Sequence, residues 1–274
     1  MIPLEDNFTD IIGKAQRGLG ISDSQLAEEA KVSVDKVREL REGKVDEEAL
    51  NRLAPKLNLD ASTLLESARA QWRPREQGSI DGLAQFNSRY GDMTVNAYLV
   101  WDPQSREAVA FDTGADCSEM LKRIDDEKLS LRLILLTHAH PDHIEDLDCL
   151  TKKADAAVFI SERESAPGAQ PFAEGKYFHI GKLEIEARLT WGHSPGGTTF
   201  VVNGLAHPVA IVGDSIFAGS MGGGGISYES AVKNNLEKIL TLPDDTIICP
   251  GHGPMTTVGE EKKHNPFFAG NLAK

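Results

Sequence analysis

Three histidines and one aspartate fall within a single short segment, which has the sequence THAHPDH. His138 and His140 are two residues apart, so both can point to the same side of an extended chain. A turn after the proline would bring Asp142 and His143 toward the same point. Imidazole nitrogens and carboxylate oxygens are ligands that divalent metals such as Zn²⁺ accept. The chain has 8 histidines in 274 residues, so three of them within six positions indicate a metal-binding loop.

Further metal ligands must come from distant parts of the chain, because one loop cannot fill the coordination shells of two metals. Three candidates each follow an apolar, β-like run and lie beside glycine: His193 in TWGHSPGG, Asp214 in VAIVGDS and His252 in IICPGHGP. Glycine next to a ligand lets the backbone approach closely and adopt conformations that other residues resist. The pattern predicts a site assembled from loops at one edge of a sheet structure.

The ordered set THAHPDH, GHSPGG, GD and PGHGP resembles the metallo-β-lactamase superfamily over about residues 85–270. The run PGHGPMTTVGEEKKHNPF is most similar to the glyoxalase II-like hydrolases within it. The resemblance implies an α/β (α+β) fold, a four-layer αββα sandwich, and a site for two divalent metals. By this resemblance one metal would be held by His138, His140 and His193, the other by Asp142, His143 and His252, and both by a bridging Asp214.

The resemblance also implies an activity. Asp112, in FDTG, matches a family aspartate that orients the ligand loop. Two metals about 3.5–4 Å apart can share a hydroxide near neutral pH, which would attack a small ester or thioester. Asp142 and Asp214 could accept a proton from the attacking water and pass it to the leaving group. We therefore expect a metal-dependent hydrolase of the thioesterase or hydroxyacylglutathione hydrolase type. Zinc is the expected metal, with iron or manganese as alternatives.

Other activities remain open at this point. A lactonase would use the same metals on a ring ester. A mononuclear iron persulfide dioxygenase resembles the family too, but it needs only two histidines and an aspartate on its metal. Where related enzymes place a basic residue that holds the carboxylates of glutathione, this chain has Met221 and four glycines. Tyr228 follows these glycines, and it could line the substrate pocket or belong to the start of a helix.

The candidate ligands need strands to position them. The sequence after about residue 80 contains runs that are typical of strands. Eight β-rich runs alternate with helical stretches at residues 118–126, 144–153 and 229–240. The runs are TVNAYLVW, EAVAFDTG, LRLILLTHAH, AAVFIS, KLEIEARL, TTFVVN, VAIVGDSIF and TIICPG. Mixed strands and helices over this length predict a sheet-based core with helices packed outside it.

The first 70 residues follow a different pattern, that of a small bundle of five short helices. Apolar side chains recur at helical spacing in the first of these, namely Phe8, Ile11, Ile12, Ala15 and Leu19. Ser22 and Gln25 form the pattern of a capping box. The segment ISDSQLAEEAKVSVDKVRELREGK resembles a Cro-like helix-turn-helix in which residues 33–42 form the recognition helix. Residues 71–80 contain proline and glycine and are the expected linker to a hydrolase domain at 81–274.

The helix-turn-helix pattern admits two interpretations. Lys36, Arg38 and Arg41 could contact DNA in a major groove, which would make the chain a transcriptional regulator whose metallohydrolase domain senses a metabolite. Asp35 and Glu39 would face DNA phosphates unfavourably, however. The alternative is a packing or dimerisation module, and a homodimer would suit Cro-like bundles.

Composition narrows the classes of function. With 40% apolar residues, 26% charged residues and a net charge of −13, the chain is a folded, acidic protein. Residues 71–274 contain 19 basic and 28 acidic side chains, which disfavours a nucleic-acid substrate. No run is apolar enough for a membrane helix and no signal peptide is evident, so the cytoplasm is the expected location. The three cysteines indicate buried thiols, and His179, His207 and His264 are expected to be surface or packing residues.

Overall fold

The computed structural model describes residues 2–270, and its first part is a bundle of short helices. These are α1 (Phe8–Leu19), α2 (Asp23–Ala30), α3 (Val34–Arg41), α4 (Glu47–Leu53) and α5 (Ala61–Ala68), with a 3₁₀ turn at Ala54–Leu57. Ser22 caps α2 in the capping box predicted with Gln25. The predicted apolar face of α1 is confirmed, since Phe8, Ile11, Ile12 and Ala15 are buried.

Two six-stranded sheets make up most of the remaining described chain. The first sheet contains, in spatial order, β1 (Leu83–Tyr90), β2 (Met93–Trp101), β3 (Glu107–Phe111), β4 (Ser130–Leu135), β5 (Ala157–Ser161) and β6 (Gln170–Phe172). The second contains β7 (Tyr177–Ile180), β8 (Leu183–Leu189), β9 (Thr198–Asn203), β10 (Val209–Gly213), β13 (Ile247–Pro250) and β14 (Thr256–Thr257). A small hairpin, β11 (Ile216–Phe217) and β12 (Ser220–Met221), follows β10.

Helices cover the outer faces of both sheets. They are α6 (Ser118–Asp126), α7 (Pro141–Ile144), α8 (Leu147–Lys153), α9 (Tyr228–Asn234) and α10 (Val258–His264), and a π-helical turn, Asn235–Ile239, continues α9. The predicted helix at residues 144–153 was wrong in its first turn: α7 ends at Ile144, and Asp146 precedes the new start at Leu147. None of the helices in the described part of the chain is long and apolar enough to span a bilayer.

Alternation along the strands divides the buried side chains into three layers, as period-two geometry requires. In β2, Tyr98 and Val100 join the core between the two sheets, whereas Leu99 and Trp101 pack under α6 and α8. In β10 the even positions, such as Val212, face the helices on the other side. The order is helix, sheet, sheet, helix, so the expected four-layer αββα sandwich is confirmed.

The N-terminal bundle forms part of the fourth layer. Its apolar residues, such as Leu50, belong to the same continuous core as Val212 of β10 and Phe268 near the end of the described chain. The two parts approach closely where α1 meets α9: a Cβ added to Gly18 would lie 2.2 Å from Cγ of the Tyr228 ring. The helical bundle is therefore packed against the second sheet and its helices rather than merely tethered to them.

Candidate metal centre

The predicted metal ligands all lie in loops that follow strands of the two sheets. His138 and His140 follow β4, and the short helix α7 begins immediately after His140. Its first residue is Pro141, and proline is favoured at the first position of a helix. His193 follows β8, Asp214 follows β10, and His252 follows β13. Since β10 and β13 are parallel neighbours, their carboxyl ends bring Asp214 and His252 to the same edge.

One group of ligand atoms is formed by three imidazoles and Asp214. Nε2 of His138 and Nε2 of His193 both lie 3.1 Å from Nδ1 of His140. Oδ2 of Asp214 is 3.3 Å from Nε2 of His193 and 4.0 Å from Nε2 of His138. One potential ligand atom from each of the four residues lies within 4.8 Å of those of the others, which is the spacing of donors around one ion.

A second group of ligand atoms lies directly beside the first. Its members are Asp142, His143 and His252. Nε2 of His252 is 3.3 Å from Oδ2 of Asp142 and 3.4 Å from Oδ2 of Asp214. Oδ1 of Asp214 is also 3.3 Å from Nε2 of His143. The Asp214 carboxylate therefore contacts both groups.

Hydrogen bonds at the other ring nitrogen fix the direction in which several of the imidazoles point. Nδ1 of His252 is 2.7 Å from the backbone oxygen of Thr94, and Nδ1 of His193 is 3.0 Å from that of Gly223. Nδ1 of His138 is 3.0 Å from Oγ1 of Thr137. Such contacts hold the ring so that Nε2 faces the centre, an arrangement common around protein metal sites.

Asp112 contacts the loop of candidate ligands from behind, through Thr137 and His143. Its Oδ1 accepts from the backbone N–H of Thr137 at 2.7 Å, and its Oδ2 accepts from the Thr137 hydroxyl at 2.7 Å. Oδ2 also lies 2.8 Å from Nδ1 of His143. Asp112 adopts a left-handed backbone conformation with a φ of 56°, which aspartate tolerates better than most residues.

Buried polar atoms in the centre fit a bound cation. Nε2 of His143 and Oδ1 of Asp214 are inaccessible to solvent and lack a hydrogen-bond partner among the described residues. Such atoms are costly unless something satisfies them. The backbone at Gly251 also approaches Asp214 closely, as predicted for glycine beside a candidate ligand. A Cβ added to Gly251 would lie 2.2 Å from Oδ1 of Asp214. The donors, their burial and their spacing are those of a divalent-metal site.

The electrostatics of the centre reflect buried imidazoles packed against buried carboxylates. Burial lowers the pKa of His138 well below its usual value. Burial would do the same to His143, but the carboxylates of Asp214 and Asp112 outweigh it and raise its pKa to about 10. Burial would raise the pKa of Asp214, but His143 and His252 hold it well below its ordinary range. A buried, ionised carboxylate therefore lies among the imidazoles.

The remaining predicted site residues lie elsewhere. Tyr228 is the first residue of α9, and its ring contacts Gly18 of α1. Burial raises the pKa of this phenol to about 12. His179 and His207 are exposed, whereas His264 packs its ring on Trp72 at 5.0 Å.

The three cations predicted to contact DNA already have partners inside the bundle. Nζ of Lys36 is 2.9 Å from Asp46, and Arg38 pairs with Asp35 at 3.4 Å. The Arg41 guanidinium donates to the side-chain oxygen of Gln16 at 2.9 Å. The prediction of DNA contacts stays a prediction, and these pairings add nothing to its support.

Sequence reasoning missed the residues that reach the centre from the N-terminal segment. A Cβ added to Gly253, next to His252, would lie 3.3 Å from the backbone nitrogen of Glu5. The ring of Phe217 lies edge-on to that of His252 at 5.7 Å, and Nζ of Lys14 lies 4.9 Å from the centre of the Phe217 ring. Residues so distant from the motifs carry no signal of their own, because only the packing of the bundle brings them here.

Comparison with known proteins agrees with the geometry. Residues 90–252 match the family model described as "Metallo-beta-lactamase superfamily". The chain is 33% identical over 207 residues to the probable metallo-hydrolase YqgX of Bacillus subtilis, covering 66% of this chain and 95% of that protein. It is 32% identical to the hydroxyacylglutathione hydrolase GloC of Haemophilus influenzae, covering 63% and 92% respectively. The crystal structure of TTHA1623 in a di-iron-bound form has a TM-score of 0.55 at 28% identity, covering 67% of this chain and all of that one.

Fold and site together define a metallohydrolase with a histidine- and aspartate-lined metal centre. The chain belongs to the metallo-beta-lactamase superfamily. The matched region of the family begins at residue 90, so the N-terminal bundle lies outside what the family model describes.

Proposed function

We propose that this protein is a dinuclear metal-dependent hydrolase of small thioesters, with a hydroxyacyl thioester as the best candidate substrate. The contacts of Asp214 carry the dinuclear part of the proposal. Its two carboxylate oxygens lie 3.3–3.4 Å from the Nε2 atoms of His193, His143 and His252, which belong to both ligand groups. A single ion would leave one of these groups unused.

In this proposal His138, His140 and His193 hold one ion, Asp142, His143 and His252 hold the other, and Asp214 serves both. Bound divalent metals would lower the pKa of a water molecule and polarise the carbonyl oxygen of the substrate. Zinc suits these ligands, as do iron and manganese, and the relative with a di-iron form supports a test of iron beside zinc.

The protein's own carboxylates would accept the proton of the attacking water. Asp142 is partly exposed on its side chain, and its Oδ2 is held 3.3 Å from Nε2 of His252. It can accept a proton at Oδ1 or Oδ2 from a water positioned between the two ligand groups. A thiolate leaves as an anion, because thiols have a pKa of about 8.5, and so it needs little protonation on departure.

The thioester assignment is supported by similarity to the hydroxyacylglutathione hydrolase of Haemophilus influenzae and by this leaving-group chemistry. A lactone would present the same carbonyl to the same ligands, and so lactonase activity is the main alternative. The decisive experiment combines elemental analysis of the purified protein with a panel of thioesters, lactones and phosphodiesters. Two metal ions per chain and fastest turnover of thioesters would support the proposal. One iron per chain, or faster turnover of lactones, would overturn it.

A further inference from the structure

A pocket of about 330 Å³ lies between the N-terminal bundle, the loop of the β11–β12 hairpin and α10. Its wall includes Glu5 from the N-terminal segment, Glu66 of α5, Trp72 and Arg73 from the connecting segment, Gly219 of the hairpin loop, and His264 of α10. The volume is at the lower end of the range for small-molecule sites. Both parts of the chain contribute to it, so the pocket forms where the bundle meets the hairpin loop and α10.

This pocket adjoins the metal centre. Glu5 packs by its backbone nitrogen against Gly253, the residue after the ligand His252. Ala218, which also lines the pocket, follows the Phe217 ring that contacts His252. The charges of His252 and Asp214 act on the half-buried Glu5 carboxyl, whose pKa burial raises. The pocket therefore shares Glu5 with the surroundings of His252, and Ala218 joins it to the Phe217 ring.

Most of the charges in the pocket wall are already paired. Glu66 is 2.9 Å from Nδ1 of His264, and Asp6 accepts from the Ser220 hydroxyl and pairs with Lys14. Glu5, in contrast, has no ion pair or side-chain hydrogen bond to any other residue of the described range 2–270. The Arg73 guanidinium donates one N–H to the backbone oxygen of Ile2 at 3.2 Å and has no carboxylate partner within that range. The pocket thus presents one available negative charge and one available positive charge.

We propose that this interdomain pocket binds the non-reacting end of the substrate thiol, and that this end is an α-amino acid. The Glu5 carboxylate would accept hydrogen bonds from the α-ammonium group and the Arg73 guanidinium would donate to the α-carboxylate. The indole of Trp72, stacked on His264, would contact the ammonium-bearing carbon and its methylene groups. The inference rests on the proposed thioesterase function. It would explain how the chain holds such a substrate with Met221 in place of the basic residue of related enzymes.

The first test compares two substrates with the same hydroxyacyl group. One is the glutathione thioester, whose γ-glutamyl end is an α-amino acid, and the other is the uncharged N-acetylcysteamine thioester. For Glu5→Gln and for Arg73→Gln we expect KM for the glutathione thioester to rise about tenfold, since each variant loses a charged hydrogen bond. The preference for glutathione over N-acetylcysteamine, as a ratio of kcat/KM values, should fall by the same factor. The exposed Glu29 of α2 gives a matched control, Glu29→Gln, which should keep the wild-type ratio.

The second test measures binding without turnover. Calorimetry with S-methylglutathione, whose blocked sulfur cannot bind a metal as a thiolate, should give a Kd about tenfold weaker for Glu5→Gln than for wild type or Glu29→Gln. An unchanged Kd and an unchanged substrate ratio in both variants would overturn the subsite, even if the wild type hydrolyses both thioesters. A protein that binds S-methylglutathione through Glu5 but hydrolyses neither thioester would keep the subsite and refute the proposed activity.

Discussion

Nζ of Lys14 donates to the backbone oxygen of Met221 at 2.8 Å, which joins the first helix of the chain to the hairpin that follows Asp214. The same lysine pairs with Asp6, which also accepts from Ser220 at 2.5 Å. These contacts connect the helical bundle to the hairpin that follows Asp214, a proposed metal ligand. The bundle therefore takes part in the architecture of the metal centre, whether or not it also binds DNA.

Loss of a ligand should remove both metal and activity. His138→Ala and Asp214→Ala each delete a donor from the centre, and Asp214 contacts both groups. We expect turnover to be abolished in both variants and metal content to fall below that of the wild type. Elemental analysis and a thioester assay on the same preparation measure the two effects. The exposed His179 supplies the control, and His179→Ala should change neither quantity; full activity of His138→Ala would refute the site.

Asp112→Asn should weaken metal binding without unfolding the protein. Asparagine keeps the shape of the side chain and tolerates the left-handed backbone of this position. It loses the negative charge that faces Nδ1 of His143, and such outer partners are worth about 10–100-fold in metal affinity or activity. Competition with a chelator measures the affinity. Asp92→Asn, at an exposed position, is the control, and equal metal affinity for Asp112→Asn and wild type would contradict the assigned role.

A mutation in the bundle should destabilise the whole described fold. Leu50 of α4 is fully buried in the core that the bundle shares with the second sheet. Leu50→Ala should lower the free energy of unfolding by about 2–5 kcal/mol, and thermal unfolding should remain one transition that includes loss of the metal centre. Val45→Ala, at a position 48% exposed, should have little effect. Separate unfolding of the bundle, with the centre intact at higher temperature, would contradict the shared core.

Glu261 should make stability fall as pH rises. Burial raises its pKa to about 8, although hydrogen bonds from Asn265, Thr256 and Gly219 oppose the shift. A carboxyl whose folded pKa lies above its unfolded value binds its proton more tightly when folded. Its contribution is therefore present below the unfolded value, near the ordinary glutamate pKa of 4.5, and is lost as pH rises through the folded value near 8. Glu261→Gln should remove this pH dependence of stability. Denaturant unfolding of both proteins at pH 6 and pH 8.5 measures it, and the free energy of unfolding of the variant relative to the wild type should be higher at pH 8.5. Parallel pH dependence in the two proteins would disprove it.

The predicted DNA contacts can be tested by salt titration with an operator-length duplex. Because Lys36 and Arg38 are paired with carboxylates of the bundle, we expect only weak, sequence-independent binding. A sequence-specific complex whose affinity falls steeply with salt would contradict this and favour the regulator hypothesis.

The sequence identified candidate ligands whose side chains the structure brings together, because chemistry and position coincide there. Each ligand follows an apolar run at a strand end, and such runs are visible as patterns. Helix α6 was also predicted with its observed bounds, 118–126. The strand β1 was missed because its exposed edge positions carry polar residues such as Asn87 and Arg89, which hide the alternation. Helix α10 was missed because its buried face combines the apolar Val258 with the polar Glu261.

The walls of the site were less predictable than its ligands. The pocket lined by Glu5 and Trp72 depends on the packing of Pro3 and Glu5 on Gly253 and on the stacking of Trp72 on His264. Neither contact leaves a local pattern, since each joins positions more than 190 residues apart in the chain. Both contacts are determined by packing between distant segments of the chain.

The contact between Gly18 and Tyr228 has a consequence for comparing genomes. No residue with a side chain fits at position 18 while the aromatic ring occupies its place. Related chains in which the bundle packs in the same way should therefore keep both the glycine and the aromatic residue at these two positions. Those that carry an unrelated helical extension should show no such pairing, and two columns of an alignment would tell the lineages apart.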